Sequence, residues 1–224
     1  MGGGWGRALA QLPYMLQVLL LGVVTTVKVT LGALAVALVV GLFFALLRTA
    51  PVRLLRGLAT TYIETFRAIP VLTQLFVIYF GLANLGIRLD PFSAAVVGLG
   101  ANGGAYLAEV FRGGIEAIHR GQLEAAFSIG MTRLKAMRCV VLPQAIRVVL
   151  PPIANYSISL LKDTAVVSAV AAPEIMFRAR NLVNETFLST QIYLLAGFLY
   201  LSMSLPLSRG VRHLEKRMGA GLHP

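Results

Sequence analysis

The chain of 224 residues is 57% hydrophobic and only 13% charged, whereas soluble globular domains contain roughly 45–50% apolar and about 25% charged residues. With a mean hydropathy of +0.78, this composition excludes a disordered chain, a collagen-like repeat and an ordinary cytosolic enzyme. A single cysteine, Cys139, excludes a disulfide-stapled secreted domain. The net charge of +11 could suggest nucleic acid, but in so apolar a chain it indicates the positive-inside topology of an integral membrane protein.

Stretches that are nearly free of charge predict five membrane-crossing helices, since roughly 20 apolar residues cross the hydrocarbon core of a bilayer. The fourth span is the weakest by hydropathy because Lys162 and Asp163 interrupt it. The first span has no small-residue cleavage site after its apolar run, so it is interpreted as a retained anchor. The predicted fold is an all-α integral membrane protein with one transmembrane domain, residues 1–224, whose approximate spans are 16–47, 57–84, 91–111, 148–172 and 186–208.

Basic residues are concentrated on one side of these spans. Thirteen of the 20 Lys and Arg residues lie in the segments 48–56 and 112–147 and in the tail after residue 208. The positive-inside rule makes these regions cytoplasmic, with the N-terminus outside and the C-terminus in the cytoplasm. The one long connection, residues 109–147, has 39 residues, fewer than the roughly 50 of a small domain, so no separate catalytic domain is expected there.

Motifs of nucleotide and metal chemistry are missing from the sequence. No lysine follows a glycine, so the chain has no phosphate-binding P-loop and cannot be a P-loop ATPase by itself. The three histidines and the lone cysteine have no metal-ligand spacing, and no catalytic residue or metal site is predicted. A GxGxxG string at residues 98–103 lies in an apolar span without a βαβ unit. It favours close helix packing through Gly100 and Gly104 over dinucleotide binding.

The cytoplasmic loop over residues 112–147 contains signals for two short helices. A run of helix formers over 122–129 ends at Gly130, which suits a left-handed C-terminal cap. Thr132 can cap a second helix, which Pro143 is expected to close. The residues alone leave two interpretations open: an interfacial helix pair that lies under the bilayer, or a docking surface for another protein.

Four motifs in order resemble one family of membrane proteins. The loop resembles the EAA loop of permease subunits of ABC importers, although the family usually has Ile where this chain has Val140. The loop motif consists of Glu124, Ala125, Ala126, Gly130 and residues 140–143. The other motifs are similar to the polar amino acid uptake branch (histidine, glutamine, glutamate and arginine permeases): residues 62–70 with Gln74, residues 105–112 and residues 160–164.

This resemblance implies a MetI-like permease with five transmembrane helices in the bacterial cytoplasmic membrane. Its cytoplasmic coupling helix, with Glu124, Ala125, Ala126 and Gly130, would sit in a groove of a separate ATPase subunit. The resemblance also implies a second permease subunit, identical or different, and an extracytoplasmic binding protein that delivers a polar amino acid. ATP and Mg would be bound by the partner ATPase, so this chain itself needs no cofactor, and membrane lipid rather than nucleic acid surrounds it.

Polar side chains inside the fourth span are candidates for the substrate pathway, because a charge there costs about 3 kcal/mol on insertion scales. At 100° per residue, Asn155, Ser159 and Lys162 fall on one helix face, and Asp163 follows them. As an alternative, Lys162 pairs with an acid or a carbonyl and holds helices together. Tyr156 stands where many relatives have Glu, which weakens a strictly cationic substrate unless a second permease subunit provides the acid.

The second span adds three polar candidates. Glu64 and Arg67 are spaced i, i+3 and can pair, and Gln74 follows on a similar face. Pro70 removes a backbone donor and favours a kink between them. A role in translocation and a simple interfacial ion pair both remain open for this group.

Two functions of other classes also fit the residues. An ion-gradient-driven secondary transporter or channel could use Lys162 and Asp163 as a relay. A membrane scaffold without a pathway would leave these two midspan charges unexplained.

Overall fold

The structure is a computed structural model that describes residues 3–219, with side chains over residues 5–216. Within that part the chain is helical and contains no strand, which confirms the all-α prediction. We number its helices α1 Gly3–Arg48, α2 Arg53–Ala68, α3 Val71–Asn84, α4 Pro91–Glu116, α5 Arg120–Ser128, α6 Arg133–Val170, α7 Ile175–Thr186 and α8 Ser189–Gly219.

Four of these helices, α1, α4, α6 and α8, are long and apolar enough to cross a membrane. The pair α2 and α3 passes the same test only when taken together, and the two helices meet at a bend of 109°. The kink predicted at Pro70 is therefore a break in the helix, and the span predicted over residues 57–84 consists of two pieces.

Contacts between α1 and α4 set the directions of these two helices. Val36 lies against Gly100, and farther along both helices Arg48 pairs with Glu109. In these contacts a later residue of α1 meets a later residue of α4, so the two helices run parallel. Because α1 ends and α4 begins at opposite ends of the bundle, the bent pair α2 and α3 must carry the chain back across it.

The remaining helices alternate in direction. Val149 on α6 lies against Gly114, and Tyr156 lies against Gly103, so α6 runs antiparallel to α4. Asn155 of α6 binds Glu215 near the end of α8, and Glu174, just beyond the end of α6, binds Tyr200 in the first half of α8. The helix α8 therefore runs antiparallel to α6. The described chain therefore makes five crossings, and its two ends lie at opposite ends of the bundle.

The predicted close packing at Gly100 and Gly104 is confirmed. A Cβ atom on Gly100 would lie 2.5 Å from Val36 Cγ1 and 3.2 Å from the Ala33 carbonyl oxygen. On Gly104 it would lie 2.7 Å from Val40 Cγ1. The absence of side chains at these two positions lets the backbones of α1 and α4 approach closely.

The helix α7 was not predicted from the sequence. Hydropathy windows miss it because it carries two arginines and a glutamate, although Ile175, Ala179 and Leu182 recur at helical spacing and are buried. They pack against the first half of α1 and against α8. At Gly22 of α1, a Cβ atom would lie 2.8 Å from Ile175 Cα and 2.9 Å from its nitrogen, so the two backbones are in direct contact.

Local signals in the cytoplasmic loop are mostly confirmed. Gly130 has φ +81, as its role in ending α5 predicts, and Thr132 Oγ1 accepts a hydrogen bond from the Lys135 amide at 3.4 Å. The prediction that Pro143 closes the second loop helix is wrong. A π-helical segment, Met137–Val141, precedes it, and the helix continues through Pro143 as an α-helical stretch.

The contact at Gly22 yields a stability prediction. Gly22→Ala should lower the free energy of unfolding by about 1–3 kcal/mol, because the added methyl group meets backbone atoms of α7 that cannot rotate away. Gly6→Ala is the matched control, since it lies on the same helix with no atom within 4 Å of the added Cβ. Thermal unfolding of the purified variants measures the difference, and equal midpoints would show that α1 and α7 do not pack this closely.

Candidate functional site

The break between α2 and α3 is stabilised by two side-chain amides. Pro70 has no amide hydrogen, so the carbonyl of Phe66, four residues earlier, loses its helical donor. Gln74 Nε2 donates to the carbonyls of Phe66 and Ile69, both at 2.7 Å. From α4, Asn102 Nδ2 donates to the Phe66 carbonyl at 3.0 Å and to Gln74 Oε1 at 3.3 Å. The bend is thereby satisfied within the bundle and tied to α4.

A tyrosine holds α2 in place just before the break. The Tyr62 hydroxyl donates to the Ala101 carbonyl of α4 at 2.5 Å, and its ring stacks on Phe44 of α1 with centroids 3.8 Å apart. A cavity of about 240 Å³ lies between α2 and α3 at the bend. Its lining includes Phe66, Ile69 and Gln74.

The polar candidates of the second span do not form one cluster. Glu64 and Arg67 are exposed on α2, and neither takes part in an ion pair within the described residues, so the i, i+3 pair allowed by the sequence is not formed. Gln74 is buried, with 7% exposure, and its amide is occupied by the carbonyls of the break. This use of Gln74 depends on the geometry of the bend, which the sequence does not give.

The polar face predicted on the fourth span is open on the surface of the chain. Asn155, Ser159 and Lys162 are all exposed, as is Asp163, whereas Leu160 and Leu161 between them are buried. In the described part of the chain neither Lys162 nor Asp163 has an ion-pair or hydrogen-bond partner. The alternative in which Lys162 pairs with an acid or a carbonyl is therefore not realised within the described chain.

A carboxylate that no sequence pattern indicates lies beside Asn155, at one end of this face. Asn155 Nδ2 donates to Glu215 Oε1 of α8 at 2.7 Å. The two residues are 60 positions apart, so only the fold brings them together. Glu215 thus binds the residue that precedes Tyr156.

Tyr156 itself packs against α4. Its ring stacks on Tyr106, with centroids 5.0 Å apart and planes inclined by 21°. Its hydroxyl approaches Gly103 so closely that any side chain there would collide with it. A packing role is therefore visible for Tyr156, alongside its place next to the polar face.

The helix α5 presents an exposed surface outside the spans. Glu124 and Ala125 are exposed, whereas Ala126 faces the protein. Three large apolar side chains that the sequence analysis did not single out are exposed nearby: Phe127 by 47%, Ile129 by 74% and Leu134 by 80%. Exposed apolar side chains grouped on one short loop are typical of a protein-binding surface.

A network of ion pairs joins the ends of α1 and α4 just before α5. Arg48 pairs with Glu109, and Arg112 Nη2 reaches the same carboxylate at 2.7 Å. Arg112 also pairs with Glu116 at the end of α4. Of these residues, only Glu109 and Arg112 belong to a motif noted in the sequence, and the structure shows that the network fixes the start of the loop to two membrane helices.

At the opposite end of the bundle, Glu174 is fully buried. Its carboxylate caps α7 by accepting from the amides of Met176 and Phe177, at 2.9 and 2.7 Å, and it accepts from the Tyr200 hydroxyl at 2.6 Å. It thereby ties α7 to α8. Across residues 3–219, no group of three or more His, Cys, Asp or Glu side chains has a geometry that could hold a metal ion.

The sequence is similar to one protein family and to several curated members of transport systems. Residues 37–220 match the family described as the binding-protein-dependent transport system inner membrane component. The probable glutamine ABC transporter permease protein GlnM of Bacillus subtilis (strain 168) is 39% identical over 193 residues, covering 86% of this chain and 89% of that protein. The glutamine transport system permease protein GlnP of Escherichia coli (strain K12) is 35% identical over 216 residues, covering 96% of this chain and 97% of that protein.

A solved structure has the same fold over almost its whole length. The crystal structure of an amino acid ABC transporter with histidines is 35% identical and superimposes with a TM-score of 0.89. The match covers 93% of this chain and 97% of that chain.

The geometry of the helix break yields a second stability prediction. Gln74→Leu should lower the free energy of unfolding by about 1–3 kcal/mol, because it leaves buried carbonyls without donors. Thr73→Val is the matched control, because Thr73 lines the same cavity and is exposed. Thermal unfolding in detergent measures both, and a Gln74→Leu protein as stable as the Thr73→Val protein would contradict the bonding scheme.

Proposed function

Because the chain belongs to the family of inner membrane components of binding-protein-dependent transport systems, as its four motifs predict, we propose that it carries a polar amino acid across the bacterial cytoplasmic membrane. The energy comes from ATP and Mg bound by a separate ATPase subunit. The observation that carries the choice of substrate is the exposed polar face of α6, with Asn155, Ser159, Lys162 and Asp163. The choice of an amino acid as substrate is also supported by two relatives that are named as glutamine permeases and by a similar structure described as an amino acid ABC transporter with histidines.

The polar face of α6 suits the two charges of an amino acid. Lys162 offers a cation to the substrate carboxylate, and Glu215 with Ser159 offers acceptors to the ammonium group. Glu64 and Arg67, exposed on α2, remain candidates for the same pathway, whereas we assign Gln74 to the support of the helix break.

The same face supports a second permease subunit. A charged side chain that faces lipid at midspan costs about 3 kcal/mol on insertion scales, and both Lys162 and Asp163 are exposed in the single chain. Another permease subunit, identical or different, covers this face and leaves a wet path between the two.

The helix α5 is the coupling helix in this proposal. Glu124 and Ala125 enter a groove of the ATPase subunit, with exposed Phe127 and Ile129 as apolar anchors, and Gly130 turns the chain out again. Closure of two ATPase subunits would move α5, and the ion pairs of Glu109 would pass this movement to α1 and α4. The N-terminus is then outside, where an extracytoplasmic binding protein delivers the substrate, and the C-terminus is cytoplasmic.

The coupling role is tested by Ala125→Arg. A bulky cation at this exposed position should prevent docking and reduce substrate-stimulated ATP hydrolysis by at least about tenfold, the equivalent of about 1.4 kcal/mol, without affecting membrane insertion. Thr49→Arg is the control, because it adds the same charge at the same end of the bundle, away from α5. Hydrolysis is measured in proteoliposomes with ATPase and binding protein. Normal assembly and normal stimulation in Ala125→Arg would refute the docking role.

The specificity of the site is tested by Tyr156→Glu. A carboxylate at position 156, next along the helix to Asn155, should shift the ranking of substrates toward cationic amino acids by about tenfold, since a charged acceptor strengthens ammonium capture. Tyr156→Phe keeps the stacking on Tyr106 and should keep the wild-type ranking. Competition uptake into proteoliposomes, with the binding protein held constant, measures the ranking. An unchanged ranking in a well-expressed Tyr156→Glu complex would leave Tyr156 with a packing role only.

These assays also separate the proposal from a gradient-driven transporter. Uptake by the purified chain alone in liposomes under an ion gradient, without ATPase, would contradict the ABC importer mechanism.

A further inference from the structure

The last part of α8 carries a row of basic side chains on one face. Arg209, Arg212, His213 and Lys216, which we call the basic strip, recur at i, i+3, i+4 and i+7, so they fall within an arc of about 100°. All four are exposed. Together they line one concave surface of about 230 Å³.

The charge of the basic strip is not neutralised within the described chain. None of its four side chains has a hydrogen-bond or ion-pair partner among the described residues. The neighbouring acid, Glu215, points elsewhere, because it accepts the hydrogen bond from Asn155. A rigid helix therefore holds several donors and up to four positive charges ready for an anion from outside the chain.

The face that continues from the strip toward the other end of α8 is apolar. Its side chains recur at the same helical spacing and are exposed: Leu194 by 59%, Phe198 by 65%, Leu201 by 52% and Leu205 by 42%. One face of the helix thus changes from mainly apolar to basic along its length. A surface with this sequence of properties matches a phospholipid, whose acyl chains and headgroup follow one another in the same order.

The change follows the distribution of charge along α8. No charged residue lies between Ser189, where the helix begins, and Arg209, and from Arg209 the strip extends by about 10 Å to Lys216, at 1.5 Å per residue. We propose that the basic strip binds the phosphate of an anionic phospholipid whose acyl chains lie along the apolar part of this face.

The test compares lipid binding by the full-length chain and by the triple variant Arg209→Gln, Arg212→Gln, Lys216→Gln. Native mass spectrometry counts bound lipid after titration with phosphatidylglycerol or phosphatidylcholine in detergent. Each basic residue near an anionic surface is worth about fivefold in affinity. The triple variant should therefore lose on the order of a hundredfold of its preference for phosphatidylglycerol and bind phosphatidylcholine as before.

A second triple variant, Arg53→Gln, Arg56→Gln, Arg133→Gln, removes the same charge from exposed positions outside the strip. It should keep most of the preference for phosphatidylglycerol. An equal loss in both variants would overturn the site, because the effect would be one of net charge. An unchanged preference in the strip variant would overturn it as well.

Two further results complete the test. Loss of a co-purifying ATPase with unchanged lipid preference would show that the strip meets an acidic protein surface, and this would overturn the lipid proposal. If the triple variant does not fold, the single variants Arg212→Gln and Lys216→Gln are measured instead. Each should lose about fivefold, and no loss in either would refute the proposal.

Discussion

The architecture depends on one constraint, that a bilayer offers no water to backbone groups that a helix leaves unpaired. Pro70 creates such groups in the middle of the second span, and the amides of Gln74 and Asn102 supply the missing donors. Because the break is satisfied from α4, the chain can turn by 109° and still cross the bundle. That crossing is what allows α1 and α4 to run parallel and to share their glycine-lined contact.

Much of the fold is readable in the sequence because its signals are local. Charge-free windows indicate the spans, Gly130 and Thr132 mark helix ends through their own backbone and side-chain chemistry, and the spacing of Asn155 and Ser159 places them on one face. Pro143 misleads because a π-helical segment can absorb a proline that would otherwise end a helix. The helix α7 is hidden from hydropathy by its charges, although its period of buried residues is present.

The candidate site is less readable because its partners are distant in sequence. Glu215 reaches Asn155 across 60 positions, and Arg48 reaches Glu109 across 61. Gln74 looks like a pathway residue when only its polarity and position are known. Its bonding becomes clear once the bend brings the carbonyls of Phe66 and Ile69 to it. The sequence pattern therefore identifies residues that are unusual for a membrane span, whereas the contacts of each residue depend on the tertiary structure.

The two exposed faces of α6 and α8 have opposite requirements, and Glu215 stands between them. The face of α6 with Lys162 and Asp163 cannot be left to lipid without a large cost, so protein and water must cover it. The face of α8 is apolar along its first part and basic along its last part, which is the order of groups in a phospholipid. By accepting from Asn155 on one side of α8, while the basic strip occupies another, Glu215 keeps its negative charge with the polar face. In the proposed arrangement, α8 thus lies between the pathway and the membrane.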